Sequence, residues 1–395
     1  MQNTLNILMI THHRSHKIFP RSYAMAHAMV ERGHKVTVIT ISDKSRLGIK
    51  VTEWDGVRVV ETPDLLWGQL RSGWDLWNLM SRVIFLWKDK SHYDIVHCFE
   101  SRPATIYPAL LYCHQHNIPL LTDWNDWWGR GGLVDEVRPR WYRLLFGGIE
   151  TYYEEAFRKK GAGVTVISSA LARRAASLGV PSDRILLLPG GSFPVFFQAK
   201  NKNDFRKRIG LELNIPVIGF SSLDSHLDLG IVFKALSIVV KKYPAAKLMI
   251  TGKPTKSILE LAKALGVDSN LYLTGFLPYE ELPKYLGCAD LFVLPLADKI
   301  YNVGRWPNKI CDYISLGRPT ISNPVGDIKT LFEDYEIGLL AKWDPVDFSQ
   351  KIIYLIEHPS DAKKFGENAR NIAVTVYDWN LLIKWLEDFY YRILN

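Results

Sequence analysis

The sequence predicts an α/β protein of two doubly wound domains, each a mainly parallel sheet with helices on both faces. Three observations carry that expectation. The chain has 395 residues, more than one ordinary core covers, so two domains of somewhat under ~200 residues each are expected. Short apolar runs alternate with helical periods, the pattern of strands joined by covering helices. The alternation runs in two series, separated by a stretch rich in glycine and proline.

In the first series "NILMIT", "KVTVIT", "DIVHCF", "PLLTDW" and "GVTVIS" read as buried parallel strands, all before residue 170. "SYAMAHAMVERGH" has the period of a helix between the first two. The second series, after residue 214, comprises "PVIGFSS", "KLMITG", "LYLTGF", "DLFVLPL" and "PTISN", with "GIVFKALSIVVKKYP" as a helix between strands. "LLLPGGSFPVFFQAKNKNDF" breaks the pattern through Gly190, Gly191 and Pro194, so the domains are read as 1–193 and 200–373. In open α/β sheets the ligand site follows the carboxyl ends of the strands. The expectation is therefore a cleft lined by "THHRSHKIFPRS", "CFESRP" and "DWNDWWGRGG" on one side and by "SSLDSH", "TGKP", "TGFLP" and "ADKIYNVGRWPNK" on the other.

Composition narrows the function classes. A 47% hydrophobic and 23% charged chain is a folded globular one, which excludes a disordered scaffold. The net charge of +8 favours acidic partners: phosphates, nucleic acid or an anionic membrane. Nucleic acid accounts for the charge but for none of the motifs, and is not an expected partner. Cys98, Cys113, Cys288 and Cys311 are scattered without zinc spacing, which fits reduced thiols. His12, His13 and His16 have no carboxylate nearby to complete a ligand set, so no metal is expected. No leader pattern precedes "LNILMIT" and no apolar run reaches the ~18 residues of a spanning helix, so a cytoplasmic protein is expected. The absence of GxGxxG argues against a dinucleotide enzyme.

The stretch "GRWPNKICDYISLGRPTIS", residues 304–322, points to an anion. Pro307 suits a first helical position, and Gly317 with Pro319 makes a stop, giving about three turns of helix between them. Ile310, Ile314 and Gly317 share an inward face; Asn308, Asp312 and Ser315 share another. Arg305 and Lys309 flank the first turn, whose free N–H groups suit a phosphate. A solvated charge pair is the competing reading.

"LYLTGFLPYEELPKYLGCADLFVLPL" and "PNKICDYISLGRPTISNPVGD" together resemble the donor-binding half of the GT-B glycosyltransferases, specifically glycosyltransferase family 4. The resemblance extends over nearly the whole chain, through "ERGHKVTVIT", "DIVHC", "VTVISSALARRAASLGVPSDRILLLPGGS" and "YDWNLLIKWLEDFYYRIL". It implies a GT-B fold of two Rossmann-like domains, with a terminal helix at 376–395 returning to the first. It implies no cofactor, a nucleotide-sugar being a co-substrate. The family's two glutamates, eight positions apart, fall on Gly304 and Asp312, which leaves one shorter acid to hold the ribose. The family's arginine and lysine after the first strand of the second domain are missing from "GFSSLDSHLDLG", which includes Ser222. Arg305 and Lys309 are then the cations left for the diphosphate. Trp306 and Asn308 belong to the same donor stretch. Phe276 and Leu277 match the backbone that holds the base, and Lys253 is a further phosphate candidate.

In the first domain, Asn125 takes the family's histidine position and Asp126 the acid after it. Asp123 and Asp126 near Arg130 are equally readable as a structural network. Trp124, Trp127 and Trp128 either stack on a sugar or fill the domain's wall, the second being the commoner use of tryptophan. "HHRSHKIFPRS" replaces the glycine-rich turn of many relatives, with Arg21 and Ser22 at a helix start and His13 in the loop. Thirteen tryptophans exceed what the core needs. "RPRWYRLLFGGIETYYEEAFRKK" spaces Trp141, Leu144, Leu145, Tyr152 and Ala156 helically among Arg138, Arg140, Arg143, Arg158, Lys159 and Lys160, and "LLWGQLRSGWDLWNLMSRVIFLWKDK" is similar. Such stretches either pack on the sheet or meet an anionic membrane surface.

The resemblance implies a retaining, metal-independent transferase, active in surface polysaccharide or glycolipid synthesis, that moves a sugar from a nucleotide donor to a glycan or lipid-linked acceptor. Asp126, Asn125, Arg305 and Lys309 are its catalytic candidates. A sugar-nucleotide epimerase on the same fold and a catalytically silent GT-B binding protein are the alternatives.

Overall fold

A computed structural model describes residues 4–14, 20–65, 72–198, 202–221 and 228–395. His16, Ser222 and the part of the tryptophan-rich stretch at 66–71 lie outside them. The chain divides into two compact units, Met1–Pro189 with Trp379–Asn395, and Gly190–Asp378.

The first unit holds eight strands: β1 (Asn6–Ile10), β2 (Lys35–Ile41), β3 (Lys50–Trp54), β4 (Val57–Thr62), β5 (Ile95–Phe99), β6 (Leu120–Trp124), β7 (Gly163–Val166) and β8 (Ile185–Leu187). Their order is β3-β4-β2-β1-β5-β6-β7-β8, parallel except for the β3–β4 hairpin. That hairpin turns on Asp55 (φ 46°) and Gly56 (φ 76°), the two positive φ values a tight primed turn demands. β1, β2, β5 and β6 are Val-, Ile- and Leu-rich because helices cover both faces. Leu8, Ile10, Val96, Cys98, Ile106 and Phe157 form the core on one face. The helix Trp379–Leu394 belongs to the other: Tyr390 Oη meets His97 Nδ1 at 2.7 Å, and Glu387 accepts from Arg32 and pairs with His34 at 2.9 Å. Gly163 is required there, because a Cβ would lie 2.8 Å from the Phe389 ring.

The second unit holds β9 (Val217–Ser221), β10 (Lys247–Thr251), β11 (Leu271–Gly275), β12 (Leu291–Leu294), β13 (Thr320–Ser322) and β14 (Gly338–Leu340). All are parallel, in the order β11-β10-β9-β12-β13-β14. The order reverses direction between β9 and β12, and in the first unit between β1 and β5; crevices at such switch points take ligands. Phe220, Leu236, Leu248, Val293 and Phe348 lie in the second core. Every apolar run read from sequence is a strand; β3, β4, β8 and β14 are additions. All four cysteines are free and buried. Among the described residues no helix is long and apolar enough to cross a membrane.

Candidate active site

In the second unit the switch point is built around the helix Lys309–Ser315. Ile310 and Ile314 are fully buried and Gly317 (φ 63°) ends it, as the spacing predicts. Two corrections follow. The helix has seven residues, two turns rather than three, and the N–H groups of Ile310 and Cys311 donate to the carbonyls of Pro307 and Asn308. Those two amides are spent within the turn, which leaves fewer N–H groups at this end than the spacing predicts. Ser315 faces inward, bonded to Ser192 and accepting from Arg370, because the short helix turns it toward the core. Tyr313 fixes the helix: its ring stacks on Phe292 at 4.0 Å and its hydroxyl accepts the Ser221 N–H at 2.7 Å.

That anchoring places Lys309 Nζ 4.4 Å from the centre of the Phe220 ring. Among the described residues no carbonyl or carboxylate accepts a hydrogen bond from Lys309. Burial, with Arg305 nearby, pushes its ammonium down to about 7. Asp312, one turn on, is pushed up to about 8 by burial, against the pull of Lys309. Arg305 stands 3.9 Å from Asp228 and 5.6 Å from the Tyr301 ring. Asp228 also accepts from Asn302 at 2.9 Å and from the Tyr301 hydroxyl at 3.3 Å. Three sequence candidates, Arg305, Lys309 and Asp312, are therefore together at the carboxyl ends of β9 and β12.

The other donor candidates are more scattered. Gly304 is buried and its N–H closes a helical turn on Ile300. Trp306 is buried, stacked on Tyr377 at 5.2 Å with its Nε1 donating to Cys311 Sγ, so its ring serves packing. Asn308 is exposed and lies so close to Gly190 that a Cβ there would sit 2.3 Å from its Oδ1. Phe276 is exposed and Leu277 half-buried after β11, and Lys253 is exposed after β10. A cavity of about 910 Å³ lies elsewhere, at the amino ends of β9, β12 and β13. Its cations are engaged: Arg206 on the Cys288 and Leu213 carbonyls and Asp290, Arg370 on the Pro194 and Phe197 carbonyls.

In the first unit, Arg21 begins the helix Arg21–Glu31 as expected, but its guanidinium is buried. It donates to Asp123 at 3.3 Å and to the Leu188 and Pro189 carbonyls at 2.7 and 3.0 Å, and lies 5.6 Å over Trp379. An arginine so engaged ties β6 to the end of the unit and does not offer its charge to a ligand. Asp123 is partnered by Arg21 and Thr165, not by Arg130. Ser22 is buried, its hydroxyl without a partner among the described residues. His13 accepts or donates to Thr11 Oγ1 at 2.7 Å, and burial pushes its imidazole down to about 4, so it is neutral at pH 7.

Asn125 and Asp126 follow β6, both half-buried, and the Asn125 Oδ1 has no partner among the described residues. Trp124 is core: Glu154 accepts from its Nε1 at 3.0 Å and Arg158 lies 4.6 Å over it. Trp127 lies under Arg174 at 4.1 Å and Trp128 under Arg102 at 5.6 Å. Asp126, Glu100, Arg102, Trp74 and Ser101 line a small cavity of about 30 Å³. Glu100 pairs with Arg102 at 3.2 Å and holds φ 63°, a strained value for a residue with a Cβ. Sequence reasoning named "CFESRP" only as a segment; its acid and base directly after a strand, ahead of Pro103, were the available signal. Asp228 and Asn302 gave no motif. Among the described residues no group of three or more His, Cys, Asp or Glu is placed to hold a metal.

Two family models divide the chain between them: Glycosyltransferase Family 4 matches residues 21–192, and Glycosyl transferases group 1 matches 216–358. Alpha-D-kanosaminyltransferase of Streptomyces kanamyceticus is 20% identical over 75% of this chain and 76% of its own. Two other curated glycosyltransferases match over only 32% and 30% of their length. Sucrose-phosphate synthase of Thermosynechococcus elongatus superposes with a TM-score of 0.77, with 16% identity over 98% of this chain and 99% of that one. HepE of Anabaena, in complex with UDP-glucose, gives 0.72 with 14% identity over 97% and 98%.

Proposed function

We propose that this chain, which belongs to the GT-B glycosyltransferases with a family 4 domain followed by a group 1 domain, moves a sugar from a nucleoside-diphosphate sugar to a hydroxyl of a glycan or lipid-linked acceptor. The transfer is retaining and metal-independent, and the protein works in surface polysaccharide or glycolipid synthesis at the cytoplasmic face of an anionic membrane. The single observation that carries the donor site is Lys309, a half-buried side chain over Phe220 whose ammonium has no hydrogen-bond partner among the described residues, beside Arg305 at a switch point. A partly desolvated cation in that condition is costly, and a diphosphate offsets the cost with charge and acceptor oxygens. Lys309 and Arg305 then supply the charge that a divalent cation supplies in other transferases. Asp312 holds the ribose. In the reaction the bond from the sugar's anomeric carbon to the phosphate oxygen breaks and one to the acceptor oxygen forms on the same face. The acceptor's proton passes to the departing phosphate oxygen, whose developing charge Lys309 stabilises. Asn125 and Asp126 line the sugar and acceptor.

Calorimetric titration with UDP, GDP, ADP and dTDP tests this reading on the wild type and on Arg305→Ala/Lys309→Ala. One nucleotide is expected to bind selectively, and the double variant to lose it. If none binds the wild type, the donor site is wrong and the silent binding protein takes its place.

The pair also sets a pH dependence. Bound diphosphate raises the affinity of Lys309 for its proton above about 7 and keeps Asp312, already up at about 8, protonated. The complex therefore holds more protons than the free protein from about pH 7 upward, and nucleotide affinity falls as pH rises through that range. The expected loss is up to about tenfold per pH unit between about 7 and 8 and steeper above, where Asp312 adds a second proton, with proton uptake visible in buffers of different ionisation enthalpy. A flat affinity from pH 6.5 to 9 contradicts it.

A further inference from the structure

We propose that the helices Leu76–Lys88 and Arg140–Glu155 of the first unit form a docking face for anionic phospholipid, with their apolar side chains entering the bilayer interface. The proposal deepens the reading above, on which it rests for a lipid-carried acceptor.

Both helices are inside out. Arg140–Glu155 buries Glu150, Thr151 and Glu154, while Trp141, Leu144, Leu145, Ile149 and Tyr152 stand 60%, 77%, 66%, 43% and 52% exposed. Their spacing is that of one helical stripe. The buried side is polar by construction: Glu154 accepts from Trp124 Nε1 and from the N–H groups of Trp128 and Gly129, and Glu150 from Tyr142. Leu76–Lys88 repeats the arrangement in part, burying Asn78, Ser81 and Arg82 alongside Leu86 and exposing Leu76, Met80, Ile84 and Trp87. Arg82 spends its donors on Thr62 and on the Ala104 and Thr11 carbonyls. Sheet packing, the competing sequence reading, therefore leaves these apolar stripes uncovered within the unit. Leu86 and Phe157 share one core cluster, and Trp74 meets Tyr153 edge-on at 5.1 Å, so both helices lie on the same face of the sheet. Leu111, 55% exposed on the helix Pro103–His116, adds to that face.

Charge selects the occupant. Leu76–Lys88 carries no acid. In Arg140–Glu155, Glu150 and Glu154 are buried and Glu155 is paired with Arg174 at 2.6 Å. Arg140, Arg143, Lys88 and Lys90 are exposed beside the stripes, with Asp135 and Glu136 the exposed acids just ahead of Arg140, and with Arg143 donating to the Asp135 carbonyl at 2.9 Å. Arg158, counted in the basic fringe by sequence, is instead buried, donating to the Asp123 and Glu154 carbonyls. An apolar face edged by cations and set with Trp and Tyr suits an anionic lipid surface. A second copy brings the same cations against these, which disfavours self-association.

Flotation of the whole chain with vesicles of phosphatidylcholine, with and without about one-third phosphatidylglycerol, tests the face. The wild type is expected to float with the anionic vesicles, less so at high salt. Leu144→Glu/Leu145→Glu and Trp87→Glu, at positions already exposed, are each expected to cut the bound fraction about tenfold or more, and Arg140→Glu/Arg143→Glu to cut it most at low salt. Nucleotide titration of the same variants is expected to match wild type, which separates failure of docking from failure of the donor site. Flotation unchanged in all three variants overturns the proposal. So does a wild type that ignores vesicles, including one that forms a dimer in sedimentation which Leu144→Glu/Leu145→Glu dissolves.

Discussion

Lys309→Met is expected to lower kcat/KM by about 10²–10³-fold while leaving the fold as stable as before or more so. The two halves of that result come from one fact, the partial desolvation of the ammonium over Phe220. Its proton affinity in the folded chain is down at about 7, against an ordinary 10.5. Charging it therefore costs folding free energy, in full below about pH 7 and not at all above about 10.5. Methionine keeps the volume and removes the cost, so the variant's Tm should rise more at pH 6 than at pH 9. In the proposed transfer the same charge would meet the leaving diphosphate, and one such group is worth orders of magnitude in rate. Lys309→Arg should not restore activity, because a planar fork does not occupy the place of a compact ammonium. Arg305→Ala should cost less, since Arg305 is already shared with Asp228 and Tyr301. Turnover within threefold of wild type in Lys309→Met removes Lys309 from the mechanism. A large fall in Tm alongside lost activity makes it a structural residue instead.

What could be read from the chain alone follows from which interactions are local. The strands shown by continuous apolar runs are those buried on both faces, such as "IVHCF" and "LFVL". β3 stays hidden because "KVTEW" is mostly exposed, although Asp55-Gly56 between alternating residues was a hairpin signal. β8 and β14, three residues each, carry too few positions for any period to show. At the site, Lys309 and Asp312 come together because one turn of helix brings them together, and helical spacing is legible; Arg305 stands in the short segment just before that helix. The Arg21–Asp123 pair spans 102 positions and the Asp228–Asn302 bond 74, and no spacing rule reaches that far. The same limit explains the two outward stripes. Periodicity shows that Arg140–Glu155 has an apolar side, but which side meets the sheet is decided by Glu154 finding Trp124 and the Trp128 and Gly129 amides.

The Arg21–Asp123 tie leads to the second large effect, this time on stability. Asp123→Ala is expected to destabilise the chain by roughly 3–5 kcal/mol, because it strands a buried guanidinium rather than merely deleting a contact. Asp123 is fully buried on β6, holding Arg21 at 3.3 Å and accepting from Thr165, and nothing solvated can replace it. Arg21 keeps the Leu188 and Pro189 carbonyls, which offer dipoles but no neutralising charge. At about 2–4 °C per kcal/mol for a unit of this size, thermal unfolding should move by roughly 10 °C or more. The paired change Arg21→Met/Asp123→Leu should cost clearly less than the sum of Arg21→Met and Asp123→Ala, since it removes both charges together. The measurement also decides between two meanings of the acid in "TDWNDWW". If Asp123→Ala unfolds early and the paired variant recovers both Tm and turnover, Asp123 is scaffold and the reacting sugar is left to Asn125 and Asp126. If stability moves by less than about 1 kcal/mol while turnover collapses, the tie is weak and Asp123 belongs to the chemistry.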